Sequence, residues 1–285
     1  MLRKGAMQTV KLANGVQMPV LGFGVYEARG EDCVKAVQKA VEAGYRHFDT
    51  ALAYRNEHLV AQGLQQAGLK RHDVFITTKL PPGCRGYAQT QKAIQESLRN
   101  LSFPEQPSFI DLYLIHAPYG TREERLGQWH AMCESVDRGD IRAAGVSNYG
   151  IHHLQELLDS AEVEKHRPVC NQMELHPFLQ RRELVDFCRQ RDIAMAAWAP
   201  VTRGMCLTHP TVLDIAQRHQ VSAAQILIRW SIQKGFMPLP KSITPSRILD
   251  NINVFHFKLS DKDMEELDGL EEGLTTSWDP SSNPL

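Results

Sequence analysis

The chain predicts a closed (β/α)8 barrel, preceded by an N-terminal β-hairpin and followed by a C-terminal tail. Three observations carry this fold class. Eight short, mostly apolar runs recur along 285 residues, separated by segments with helical apolar spacing, the pattern of parallel strands covered by helices. No low-complexity tract or long linker interrupts the series, so residues 1–285 read as one domain of a length such barrels commonly reach. The rival, an open doubly wound sheet, calls for G-x-G-x-x-G at the first crossover, and Gly22-Phe23-Gly24 is followed instead by VYEARG.

Taken in order, TVKLANGVQMP holds two alternating runs around Asn14-Gly15, a pair suited to a two-residue hairpin turn. The barrel strands then follow as VLGFG (Val20 to Gly24), YRHFDTA (Tyr45 to Ala51), VFITTKL (Val74 to Leu80) and FIDLYLIHA (Phe109 to Ala117). The second half supplies RAAGVSN (Arg142 to Asn148), VCNQMEL (Val169 to Leu175), IAMAAWAP (Ile193 to Pro200) and FMPLPKS (Phe236 to Ser242). Intervening segments such as Glu31 to Gly44 and Ser222 to Gly235 open on Ser, Asp or Glu and close on Gly, as helices tend to. After the eighth unit a helix capped by Ser260 leads into the extended TTSWDPSSNPL, which carries Trp278.

Composition excludes several classes of function. The formal charge is −1, so there is no electrostatic footprint for nucleic acid or an anionic membrane. No stretch approaches the roughly 20 apolar residues of a membrane span, and MLRKGAMQTV lacks the apolar segment of a secretory leader. Six cysteines, at 33, 84, 133, 170, 188 and 206, show no C-x-x-C spacing. They read as reduced, packed thiols of a cytoplasmic protein. Adjacent His152 and His153 and the dispersed acids lack any metal-ligand spacing, so no metal is expected. The short tail and the lack of an evident apolar face predict a monomer.

The strand ends are where the sequence becomes specific. In a barrel the C-terminal ends of the strands form the active-site face. Here they carry Asp49, Lys79, His116, Ser147 with Asn148, Gln172, Trp198, and Lys241 with Ser242. Any one of these has a plain structural explanation; seven strands of eight doing so together points to a site. Asp49 and Lys79 come from neighbouring strands and can pair. Tyr54, five residues beyond Asp49, is within reach of both, and a nearby ammonium is expected to lower a phenol's pKa. His116 can steer a substrate carbonyl oxygen.

This constellation resembles the aldo-keto reductase superfamily, over essentially the whole chain. The motifs are AGYRHFDTALAYRNE, ITTKL, DLYLIHAP, GVSNY, NQMELHP and LPKSITPSRILDN, in that order. The resemblance implies that Asp49, Tyr54, Lys79 and His116 are catalytic, with Tyr54 the general acid in NADPH-dependent reduction of an aldehyde or ketone. It implies that Ser147, Asn148 and Gln172 hold the nicotinamide carboxamide and that Trp198, where the family usually has Tyr, stacks on its ring. Lys241, Ser242 and Arg247 match the cluster around the adenosine 2′-phosphate, which favours NADPH over NADH; Asn251 and Asp250 match adenine contacts. The pyrophosphate loop VTRGMC departs from the family pattern, with Ala199 where a Ser is common; Val201 and Arg203 are expected there, Arg203 offering a charge to the phosphates instead. Tyr26, Ala117 and Trp278 are expected at the substrate pocket.

Two departures from the family pattern bear on substrate. Ala117 replaces a common Trp, which predicts a wider wall and bulkier or cyclic carbonyls unless Tyr26, Tyr87, Tyr119 or Trp278 refills the space. Arg55 replaces the usual Gly after the catalytic Tyr; it is either a solvated charge or a guanidinium at the mouth that favours anionic substrates. Two rival functions are a catalytically silent NADPH-binding sensor, which the intact catalytic four argue against, and a metal-dependent barrel hydrolase.

Overall fold

A computed structural model describes residues 8–104, 106–160 and 165–284. Residues 1–7, where no leader was expected, and Leu285 lie outside the described residues. Strands β1 (Thr9–Lys11) and β2 (Gln17–Pro19) pair antiparallel. Their turn is longer than Asn14-Gly15 suggests. Leu12 N–H donates to Val16 O at 2.9 Å and Gly15 N–H to Leu12 O at 2.8 Å, which leaves Ala13, Asn14 and Gly15 as the loop. Gly15 adopts φ +87°, the left-handed position that closes three-residue hairpin loops and suits glycine.

The eight barrel strands are β3 (Phe23–Gly24), β4 (His47–Asp49), β5 (Phe75–Leu80), β6 (Leu112–Ile115), β7 (Ala144–Ser147), β8 (Cys170–Glu174), β9 (Ala194–Trp198) and β10 (Met237–Leu239). They lie side by side in chain order and all pair parallel. The ring closes where Gly22 and Gly24 N–H donate to Pro238 O and Pro240 O at 3.0 and 3.1 Å and Gly24 bridges Lys241. The strands are shorter than the apolar runs because the chain leaves the ladder as its polar ends turn inward; Asn148, just past β7, already sits at φ +61°.

Helices alternate with the strands. They are α1 (Gly30–Ala43), α2 (Glu57–Gln66), α3 (Gly86–Asn100), α4 (Arg122–Arg138), α5 (Ile151–Leu158) and α6 (Arg182–Arg189). Two helices, α7 (Pro210–His219) and α8 (Ala223–Gln233), separate β9 from β10, and α9 (Pro245–Ile252) and α10 (Asp261–Asp268) follow. The expected serine caps are present: Ser222 and Ser260 each accept the N–H three residues on, at 3.3 and 3.1 Å, satisfying donors the first turn leaves free.

One apolar layer lies between strands and helices and includes Val37, Ile76, Ile94, Trp129 and Ile228. A second fills the N-terminal half of the barrel, where Leu12 and Met18 of the hairpin pack with Phe75, Leu112, Leu114 and Met237. The hairpin thus plugs one end and leaves the other for the site. Among the described residues no disulfide joins any of the six cysteines. Among the described residues no helix is long and apolar enough to cross a membrane.

Candidate active site

A cavity of about 940 Å³ opens at the C-terminal ends of the strands. Asp49, Tyr54, His116, Ser147, Asn148, Gln172, Trp198, Val201, Arg203, Lys241, Ser242, Arg247, Asn251, Tyr26 and Trp278 all line it. Residues up to 254 positions apart in the chain therefore converge on one space, as Gly24 and Trp278 show. Lys79 is only 1 % exposed and sits behind the wall.

The proton-handling end is organised around Lys79. Its Nζ donates to Asp49 Oδ1 at 2.6 Å and to Thr50 O at 2.8 Å, and lies 5.2 Å from the centre of the Tyr54 ring. Asp49 Oδ2 accepts from Gln172 Nε2 at 2.7 Å, so both carboxylate oxygens are engaged. Burial pulls the Lys79 ammonium below its ordinary pKa, and the Asp49 charge opposes that shift. Contrary to the expectation from sequence, the Tyr54 pKa is not lowered. Burial raises it well above the usual phenol value, and the Asp49 and Tyr26 charges add to the rise. The ammonium spends its charge on Asp49, which stands closer to it than the phenol ring does.

Tyr54 ends a 3₁₀ turn, Leu52–Tyr54, closed by Arg55 N–H to Leu52 O at 3.1 Å. Arg55 adopts φ +58°, a conformation that costs a side-chain-bearing residue about 1–2 kcal/mol and glycine little. This is the physical reason a Gly would suit the position. Arg55 is exposed and does not line the cavity. The turn is locked from beneath by Asn56, which the sequence reading passed over. Asn56 Oδ1 accepts from Thr50 Oγ1 at 2.6 Å, and its Nδ2 donates to Val25 O and Ala28 O at 2.9 and 3.1 Å. One buried amide therefore ties the Tyr54 turn to the loop that carries Tyr26. An Asn at a helix start in a polar run was its only signal.

His116 meets Tyr54 edge to face at 5.7 Å between ring centres. Burial, assisted by the Lys79 charge, holds its pKa down at about 3, so the imidazole is neutral near pH 7. Between the ordinary value of 6.5 and about 3, the unfolded chain binds a proton here that the folded chain does not. The stability this group contributes is whole above that window and is lost as pH falls through it. Urea titrations from pH 6.5 to 4 should show His116→Asn flattening the acid slope by about 1.4 kcal/mol per pH unit. An unchanged slope would mean the folded ring takes up its proton.

A chain of hydrogen bonds links the remaining strand ends. Trp198 Nε1 donates to Asn148 Oδ1 at 3.0 Å, Asn148 Nδ2 to His116 O at 2.9 Å, and Ser147 Oγ to Gln172 O at 2.8 Å. At the far end, Ser222 Oγ donates to Asp250 at 2.5 Å, which turns that carboxylate toward α8. Lys241 and Arg247 line the cavity here, and among the described residues no carboxylate lies within 4.0 Å of either cation. Over the middle, Ala199, Thr202 and Arg203 all take positive φ, of 48°, 53° and 52°. Arg203 reaches to 3.8 Å from Glu27 and 5.8 Å from the Tyr26 ring.

The substrate end differs from expectation at Ala117, which is buried and does not line the cavity. The ground beside His116 is taken by Trp278, 6.3 Å away and stacked on Tyr119 at 6.0 Å. Tyr87 stands elsewhere, hydrogen-bonded to Glu134 on α4. Among the described residues, no group of three or more His, Cys, Asp or Glu is placed to hold a metal.

Comparison with known proteins identifies the family of the chain. The family model described as the Aldo/keto reductase family matches residues 21–272. Glyoxal reductase of Bacillus subtilis is 40 % identical over 265 residues, 93 % of each chain. The 9,11-endoperoxide prostaglandin H2 reductase of Trypanosoma cruzi is 41 % identical over 277 residues, 96 % of this chain and 95 % of its own. The crystal structure of an aldo/keto reductase from Brucella melitensis superposes with a TM-score of 0.88 at 40 % identity, covering 93 % of this chain and all of that one.

Proposed function

The chain belongs to the aldo/keto reductase family, a family of oxidoreductases, and on that premise we propose that it reduces aldehydes or ketones to alcohols with NADPH. The observation that carries the reading is the joint placement of Asp49, Tyr54 and His116 on one cavity wall with Lys79 buried behind it and paired to Asp49. Relatives named as reductases support the reductive direction.

In this reading Tyr54 Oη holds the transferable proton. Its raised pKa keeps the phenol protonated at neutral pH, the form a general acid needs. As negative charge builds on a carbonyl oxygen beside Oη, the Lys79 ammonium behind the ring stabilises the phenolate left after transfer. Asp49 holds Lys79 in place. The neutral His116 offers a hydrogen bond that orients the carbonyl, so alignment contributes alongside acidity. When bound, NADPH supplies the hydride.

The donors present fit that cofactor. The cavity is long and carries amide, hydroxyl and indole groups at the catalytic end, Ser147, Asn148, Gln172 and Trp198. Lys241 and Arg247, with no carboxylate within 4.0 Å among the described residues, stand with Ser242 at the other end, which suits a dianionic phosphate better than a ribose diol. Val201 and Arg203 would cover the pyrophosphate, and Asn251 with Asp250 would face adenine. The thiols, none of them in a disulfide, accord with a cytoplasmic protein, and the cavity accords with a small carbonyl substrate.

The test is loss of NADPH absorbance with 4-nitrobenzaldehyde, expected to be faster than with NADH. Arg247→Ala should narrow that preference by roughly ten- to a hundredfold, the worth of a charged hydrogen bond or two. If NADPH quenches the tryptophan fluorescence yet no aldehyde or ketone is consumed, the protein is a binding module instead.

A further inference from the structure

The motif NQMELHP brings Gln172 into the cavity but leaves its Glu174 without a part in the reaction. Glu174 is fully buried at the end of β8. Its Oε1 accepts the Thr276 N–H at 2.9 Å and the Thr276 hydroxyl, more than a hundred residues further along the chain. A second anchor lies just after β8. Arg181, held at φ +48°, donates from Nε to Glu174 O at 3.2 Å. Its two terminal nitrogens then fork to Ser281 Oγ at 3.0 Å and Asp279 Oδ2 at 2.9 Å. A third contact is steric: a Cβ on Gly150 would fall 2.1 Å from Ser281 O, so only glycine lets the tail lie this close. His152 adds a hydrogen bond to Asn283 O at 2.7 Å.

Trp278 stands between the first two anchors, two residues after Thr276 and one before Asp279. Nothing else regular holds it: from Leu270 to Asp279 the chain has no helix or strand. Ordering such a segment costs about 1–2 kcal/mol per residue, so specific bonds must offset that cost if the indole is to keep one position beside His116. We infer that Arg181 and Glu174 are positioning residues for substrate selection. They dock the tail so that Trp278 forms the wall against which a ring-bearing carbonyl compound packs. This rests on the reading of the cavity as a reduction site.

The experiment compares a two-ring aldehyde, 2-naphthaldehyde, with propanal. Arg181→Ala should raise KM for 2-naphthaldehyde about tenfold with kcat little changed, the pattern of lost ground-state contact. Propanal, too small to reach the indole, should keep its kcat/KM within about twofold. Trp278→Ala should lose at least as much on 2-naphthaldehyde as Arg181→Ala does, and the double variant should be no worse than Trp278→Ala alone, because Arg181 acts through the indole. Arg181→Lys, which keeps the charge, should recover part of the loss. Equal losses for both aldehydes, or single-variant losses that multiply in the double variant, would overturn the assignment.

Hydrogen exchange provides a readout that needs no turnover. Backbone amides of residues 276–281 should exchange about tenfold faster in Arg181→Ala while the barrel strands stay protected. Unchanged exchange in the tail overturns the anchoring. If the parent chain consumes no NADPH with either aldehyde but the tail loosens as expected, the reduction reading fails and the anchoring stands.

Discussion

Tyr54→Phe is expected to lower kcat/KM for 4-nitrobenzaldehyde by roughly 10²–10⁴-fold, the usual worth of a positioned general acid, while NADPH still binds. The substitution removes one oxygen and leaves the ring contacts, to Tyr26 at 5.0 Å and His116 at 5.7 Å. The 3₁₀ turn and the Asn56 lock beneath it depend on backbone and on Thr50, so the fold should be undisturbed. Cofactor titration by tryptophan fluorescence separates binding from chemistry. Retained turnover would assign the acid elsewhere, and His116, neutral at pH 7 by its depressed pKa, is the residue to examine next.

Lys79→Met should be the most destabilising single change at the site, by about 3–5 kcal/mol, because it leaves the Asp49 charge buried without its partner. The pair is almost fully shielded, with side chains 1 % and 8 % exposed and 2.6 Å apart. The same variant should lose turnover, since nothing then stabilises a phenolate at Tyr54. Adding Asp49→Asn should restore most of the stability, as replacing both members of a buried pair with neutral groups often does, without restoring activity. Urea midpoints and aldehyde-dependent NADPH consumption across the parent and the two variants read the two effects separately. Equal stability for Lys79→Met and parent would mean that Asp49 is neutralised by other means.

Much of the architecture was legible in the chain because it depends on local pattern. Apolar runs of strand length between capped helical segments specify a parallel barrel without reference to distant contacts. The polar ends of those runs then identify the cavity face, since strand direction alone puts them there. Asp49, His116, Gln172 and Trp198 could therefore be named together before any distance was known. The hairpin loop was misjudged by one residue, because Gly15 closes a longer turn as readily as a two-residue one.

Other features were decided only by tertiary contact. Whether Lys79 lowers the phenol's pKa depends on which carboxylate it faces, and Asp49 at 2.6 Å claims its charge. Whether Ala117 opens a pocket depends on what folds over it, and Trp278, 161 residues further along, takes the place beside His116. Arg181 and Glu174 show no periodicity or motif that would tie them to the tail; only the closed barrel brings the end of β8 against residues 276–281. Sequence by itself determined the barrel and the face that bears the chemistry, because periodicity and strand polarity are local properties. Tertiary structure decided the charge balance at Tyr54 and the wall beside His116, because electrostatics and packing depend on neighbours that chain separation does not reveal.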